Sequence, residues 1–168
     1  DGFLALRAKG PIMSRGMIYQ VSATPTISAA SIYASGDAVG GLMTFSNALI
    51  PYSKSGLLQS IVISDLAKQS GALSLILFKA NPSATTFTDN AALDIDDSDI
   101  AKVIGAIPIA AADYVALNDS AFATVRNVGL GLSVDSEVST LYGALITTGT
   151  PTYAAVSDLT VNLFIRQD

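Results

Sequence analysis

The stretch Leu57-Leu58-Gln59-Ser60-Ile61-Val62-Ile63-Ser64-Asp65 alternates apolar and polar side chains with a period close to two residues. The alternation places Leu57, Ile61 and Ile63 on one face. Ser60 and Ser64 fall on the other, and this division predicts a half-buried β-strand over residues 57–65. A helix would instead repeat its apolar positions every three to four residues.

Seven further segments show strand character, and residues 73–78 are apolar at almost every position, as in a strand buried on both sides. Together with 57–65, the predicted strands are 17–23, 42–47, 73–78, 106–116, 122–132, 141–148 and 158–166. Turn residues separate them, for example Asn81-Pro82 and Asn118-Asp119. About eight strands without intervening amphipathic helices predict an all-β fold, a β-sandwich of the jelly-roll kind in a single domain.

One short helix is predicted over residues 98–104. Asp97 supplies an N-cap, Asp99 lies near the positive end of the helix dipole, and Gly105 provides the stop.

Composition excludes most enzyme chemistry. Among 168 residues there is no His and no Cys, so a Ser-His-Asp triad, a thiol nucleophile and an imidazole or thiolate metal site are ruled out. The net charge of −5 argues against a nucleic-acid partner. The longest uncharged stretch is broken by Pro151, which argues against a membrane span. We therefore predict a protein that is not an enzyme and has no cofactor, no metal, no nucleic-acid partner and no membrane partner.

The densest acidic cluster consists of Asp94, Asp96, Asp97 and Asp99. An EF-hand loop counted from Asp94 needs Gly at its sixth position and Glu at its twelfth, and these positions hold Asp99 and Gly105. The cluster is interpreted as a solvated loop that leads into the helix. A looser Ca²⁺ site is the alternative.

Residues 1–17 differ from the rest of the chain and are predicted to form an N-terminal arm, with the sandwich domain spanning 18–168. This segment contains three basic residues, Arg7, Lys9 and Arg15, and one acidic residue, Asp1. A basic arm on an acidic body suits docking onto a neighbouring acidic subunit, so these three residues are the predicted capsid or inter-subunit contacts. The alternative is a first strand with exposed basic residues.

From about Ser22 to Asp168 the chain resembles a family of small structural proteins of tailed bacteriophages. The segments that carry the resemblance are Tyr33 with Gly36-Asp37 and Gly40-Gly41, residues 42–45, Phe78 with Asn81-Pro82, Phe87-Thr88-Asp89-Asn90-Ala91, Asp99-Ile100, Leu141-Tyr142-Gly143, Gly149-Thr150-Pro151-Thr152-Tyr153 and Ser157-Asp158-Leu159-Thr160. The resemblance implies a virion protein on the capsid exterior, made in the host cytoplasm. It implies a decoration or cement protein that forms a homotrimer and clamps the major capsid protein.

Two other functions remain open at this point. One is a carbohydrate- or host-binding sandwich module on the virion, since loops at the ends of sandwiches often carry ligand sites. The other is a tail or baseplate component, which the sequence does not distinguish from a head protein.

Overall fold

The computed structural model describes residues 16–50, 55–134 and 139–167. Within them the chain forms nine β-strands and two single turns of 3₁₀ helix, Ile100–Lys102 and Ala111–Asp113. The strands are β1 Met17–Ala23, β2 Met43–Phe45, β3 Ser55–Asp65, β4 Leu73–Phe78, β5 Val103–Ile109, β6 Tyr114–Ala116, β7 Ala121–Ser133, β8 Leu141–Thr147 and β9 Leu159–Gln167.

The strands form two antiparallel sheets with a nested pairing. The five-stranded sheet has the order β1-β9-β3-β7-β6, and the four-stranded sheet has the order β2-β8-β4-β5. Each strand pair encloses the next one along the chain: β1 pairs with β9, β2 with β8, β3 with β7 and β4 with β5. The short strand β6 is an addition to this pattern. This is the arrangement of a jelly roll, and it confirms the predicted all-β sandwich.

The main core lies between the sheets and contains Phe45, Leu58, Leu75, Leu145 and Leu163, among others. Strand β4 is buried on both faces, as its apolar run predicts. Leu73, Leu75 and Leu77 enter the main core, whereas Ile76 and Phe78 enter a second cluster. The long β4–β5 connection supplies Phe87, Leu93 and Ile95 to that cluster, so it covers the outer face of the four-stranded sheet.

The predicted face of β3 is wrong at one position. Leu58, not Leu57, joins Ile61 and Ile63 in the core, with none of its surface exposed. The cause is a β-bulge: Leu58 pairs with Ile165 and Ser60 with Phe164, so Gln59 is an extra residue relative to β9. One extra residue reverses which side chains face the core.

Two other local predictions fail. The single strand predicted over 106–116 is two strands, β5 and β6, separated by the 3₁₀ turn Ala111–Asp113. The carboxylate of Asp113 accepts a hydrogen bond from the backbone N–H of Ala110, which closes this turn.

The predicted helix over 98–104 is only the 3₁₀ turn Ile100–Lys102. Strand β5 begins at Val103, so Gly105 lies inside a strand and does not end a helix. The remaining predicted strands agree with the observed ones to within two residues.

Candidate docking surface

The predicted contact residues Arg7, Lys9 and Arg15 lie outside the described residues, as does most of the predicted arm. Their role stays a prediction. The described residues carry three other features that bear on function: the acidic cluster, a junction of loops at Asp89, and an exposed apolar end of the sandwich.

The acidic cluster divides into three exposed carboxylates and one buried carboxylate. Asp94, Asp96 and Asp97 are exposed, as the solvated-loop interpretation predicts. Asp99 is buried instead, because its Oδ2 accepts hydrogen bonds from the backbone N–H groups of Ala84 and Thr85 at 2.9 and 2.8 Å.

A cation also contacts the buried carboxylate, since Nζ of Lys102 lies 2.7 Å from Oδ1 of Asp99. The Lys102 ammonium and the hydrogen bonds from Thr85 and Ala84 outweigh desolvation and lower the pKa of Asp99 to about 2. Asp99 therefore anchors the β4–β5 connection and is not a free ligand. In the part of the chain that the structure describes, no three acidic side chains are placed to hold a metal ion.

A second carboxylate, that of Asp89 in the β4–β5 connection, binds three residues of the β1–β2 connection. Asp89 accepts hydrogen bonds from the N–H of Ser28 at 2.6 Å, from the hydroxyl of Tyr33 at 2.7 Å and from the N–H of Gly40 at 2.5 Å. The hydroxyl of Ser28 donates a fourth at 2.5 Å. Gly40 has a φ of +79°, which suits glycine, and an added Cβ would lie 2.5 Å from Cβ of Pro25. This junction fixes the β1–β2 connection against the β4–β5 connection.

One end of the sandwich, here called the loop end, is where β3, β5 and β8 finish and β4, β7 and β9 begin. Four large aliphatic side chains are exposed on its connections: Ile32, Leu66, Leu117 and Val156, with 68%, 60%, 52% and 54% of their surface accessible. We call these four residues the apolar platform. Contiguous exposed apolar patches are typical of protein–protein contact sites, so this end of the sandwich is the candidate docking surface.

Hydrogen bonds tie the segments of the platform together. The N–H of Leu66 donates to the carbonyl of Asp158 at 2.9 Å, and Nζ of Lys68 donates to the carbonyl of Asn118 at 3.1 Å. Ile32 forms an isolated antiparallel bridge with Thr152.

Hydrogen bonds within the β8–β9 connection, which carries Val156, hold its backbone in place. The carboxylate of Asp158 accepts hydrogen bonds from the N–H groups of Ala154 and Ala155, each at 2.7 Å. The platform is therefore preorganised, which reduces the entropy lost on binding.

Charge is distributed unevenly around the sandwich. The strands of the five-stranded sheet contain one acidic residue, Asp65, which is buried on the inner face. The outward face of that sheet carries the exposed Arg126 and Arg166. The exposed aspartates of the β4–β5 connection lie over the other sheet, so opposite faces of the molecule differ in charge.

Neither the Asp89 junction nor the apolar platform was predicted from the sequence. Asp89 belongs to a segment that carries the family resemblance, but its partners are distant along the chain. The platform residues lie in separate connections, and only the strand pairing brings their segments to one end. No helix in the described residues is long and apolar enough to cross a membrane.

No family model matches the chain, and no curated protein matches it. Among solved structures, the chain is similar to a chain from the X-ray structure of tomato aspermy virus. The TM-score is 0.42 and the identity 9%, with 95% of this chain and 80% of that chain covered. A likeness this weak carries no argument about function. The predicted bacteriophage family is not supported by these comparisons and stays a prediction.

Proposed function

We propose that the chain is a virion structural protein that decorates the outside of a capsid and stabilises it. The observation that carries the proposal is the apolar platform on a preorganised jelly roll. Jelly rolls occur in viral capsid proteins, but also in lectins and cupins, so the fold alone does not decide the function. The platform favours a protein partner, because aliphatic side chains gain free energy by being covered by another apolar surface.

The proposed partner is the major capsid protein in its assembled form. A protein that binds the assembled lattice more tightly than the free subunits stabilises the lattice by mass action, by RT ln(1 + [L]/Kd) at each site. Because a capsid offers many equivalent binding sites, a modest stabilisation at each site adds up to a large stabilisation of the whole lattice. This mechanism needs no catalytic group, which agrees with a chain that has neither His nor Cys.

The test of docking replaces Leu66 and Val156 together by Asp and measures cosedimentation with undecorated shells of the major capsid protein encoded in the same genome. We expect the affinity to fall at least about tenfold, because two carboxylates would have to be desolvated in the interface.

The matched control is Ile100→Asp. Ile100 is also 54% exposed but lies in the β4–β5 connection next to the start of β5, at the opposite end from the platform. Equal binding by the platform variant and the control would contradict docking through the platform.

We further propose that the protein acts as a homotrimer. The resemblance implies this state, and the high apolar content of 50% favours a buried subunit interface. A chain of 17.3 kDa gives a trimer of about 52 kDa (3 × 17.3) by native mass. A protein that is a monomer of 17.3 kDa in solution and that also binds the shell as a monomer would contradict the trimer.

One observation favours the carbohydrate-binding alternative. A polar cleft of about 390 Å³ lies in the β4–β5 connection and is lined by Thr86, Thr88, Asp94 and Asp96, among others. If this cleft holds a Ca²⁺-dependent sugar site, calcium will raise the melting temperature and a chelator will reverse the change. The decoration proposal expects no effect of either.

A further inference from the structure

Three buried side-chain oxygens near the loop end have no hydrogen-bond partner among the described residues. They are Oδ1 of Asp65 and the hydroxyl oxygens of Tyr114 and Tyr153. Asp65 and Tyr153 are completely buried. Buried polar atoms in native proteins are nearly always hydrogen-bonded, because an unpaired one loses its hydration without compensation. Three such atoms in one region of the core need an explanation.

The register of the five-stranded sheet places Asp65 and Tyr114 on the same inner face. Tyr114 pairs with Ala123, which pairs in turn with Ile63, two residues before Asp65. Tyr153 belongs to the main core, and Tyr114 packs against that core.

The electrostatics agree with this proximity. Burial raises the pKa of both tyrosines, and the negative charge of Asp65 raises each further. The other oxygen of Asp65 is already engaged, because it accepts a hydrogen bond from the N–H of Ser70 at 2.7 Å.

We propose that Asp65, Tyr114 and Tyr153 together bind one buried water molecule. The three unpaired atoms are two O–H donors and one carboxylate acceptor. A water molecule can accept from both tyrosines and donate to Asp65, which satisfies all three, and about three hydrogen bonds is usual for a buried water. A cation fits less well, since three oxygens fall short of the six to eight that Ca²⁺ requires.

The site joins the same three segments that carry most of the apolar platform. Leu66 follows Asp65 directly, Leu117 lies three residues after Tyr114, and Val156 lies three residues after Tyr153. The bound water therefore links the end of β3, the strand β6 and the β8–β9 connection. This inference does not depend on the proposed function, and its test does not use a capsid.

The test substitutes Tyr114→Phe and Tyr153→Phe, singly and together, in the full chain and measures unfolding in denaturant. Each single substitution should raise the unfolding equilibrium constant roughly fivefold, because it removes one hydrogen bond to the water. The double variant should raise the unfolding equilibrium constant by much less than the product of the two single fold-changes, since both hydroxyls bind the same water molecule. Tyr142→Phe, a half-buried tyrosine that packs against the second cluster, is the control and should be nearly neutral.

The opposite sign would overturn the proposal. A hydroxyl that is truly unpaired costs free energy, so its removal would stabilise the protein. Independent effects of the two substitutions would also contradict a shared water. A high-resolution crystal structure of the wild-type chain should show one water within hydrogen-bond distance of all three oxygens. A dry site, or a metal ion there, would refute the proposal.

Discussion

Asp89→Ala is expected to lower the free energy of unfolding by roughly 3 kcal/mol, the largest effect of any single polar substitution that we foresee. The variant removes the acceptor of four hydrogen bonds, from Ser28, Tyr33 and Gly40. Hydrogen bonds to a charged group contribute more than neutral ones, and the donors left behind are partly buried. Denaturant unfolding of the variant and the wild type measures the difference.

The matched control is Asp94→Ala, in the same connection. Asp94 is exposed, so this substitution should change stability by less than about 0.5 kcal/mol. If the two variants were equally stable, Asp89 would not be the junction that the structure indicates.

The same carboxylate predicts a dependence on pH. Burial alone would raise the pKa of Asp89, but the hydrogen bonds from Ser28, Tyr33 and Gly40 outweigh it and hold the pKa below its ordinary value of 3.8. A lowered folded-state pKa stabilises the protein above pH 3.8, and this contribution is lost as the pH falls through the folded-state pKa. The difference between wild type and Asp89→Ala should therefore shrink below about pH 4.

Gly143→Ala is expected to destabilise the protein by roughly 2 kcal/mol through overpacking. Gly143 lies in β8, between β2 and β4, and an added Cβ would be 2.9 Å from Cε2 of Phe45 and 3.4 Å from the carbonyl oxygen of Ile76. The ring of Phe45 is completely buried and has little room to move. Thermal or denaturant unfolding measures the loss.

Gly131→Ala is the control for this prediction. Gly131 lies in β7, and an added Cβ would meet no heavy atom within 4 Å. The substitution should be neutral or slightly stabilising, because alanine restricts the unfolded chain more than glycine does. Equal losses at both glycines would point to a general effect of replacing glycine in strands, and the packing explanation would be wrong.

Much of the fold could be predicted because strand periodicity is a local property. The apolar run of β4 indicated burial on both faces, and the second cluster under the β4–β5 connection explains why. The bulge at Gln59 could not be predicted in this way, since an extra residue is defined only against the partner strand β9. The prediction of a helix over 98–104 is wrong for a similar reason. The sequence places Asp99 near a helix terminus, but the groups that donate hydrogen bonds to it, the N–H groups of Ala84 and Thr85, come from another part of the connection.

The candidate docking surface was not predicted because its residues carry no local signal. Leu66 and Leu117 directly follow strands, and Val156 lies three residues before one. Their proximity depends on the nested strand pairing, which composition and spacing do not specify. The residues that the sequence did favour, Arg7, Lys9 and Arg15, rest on charge alone and lie outside the described residues.

The proposed function requires this chain to be a component of the virion, attached to the outside of the capsid. Quantitative mass spectrometry of purified particles, combined with binding of an antibody against the chain to intact particles, tests it most directly. We expect a fixed ratio of the chain to the major capsid protein, and we expect the antibody to bind particles that have not been disrupted. Absence of the chain from purified particles, or detection only after they are opened, would contradict it.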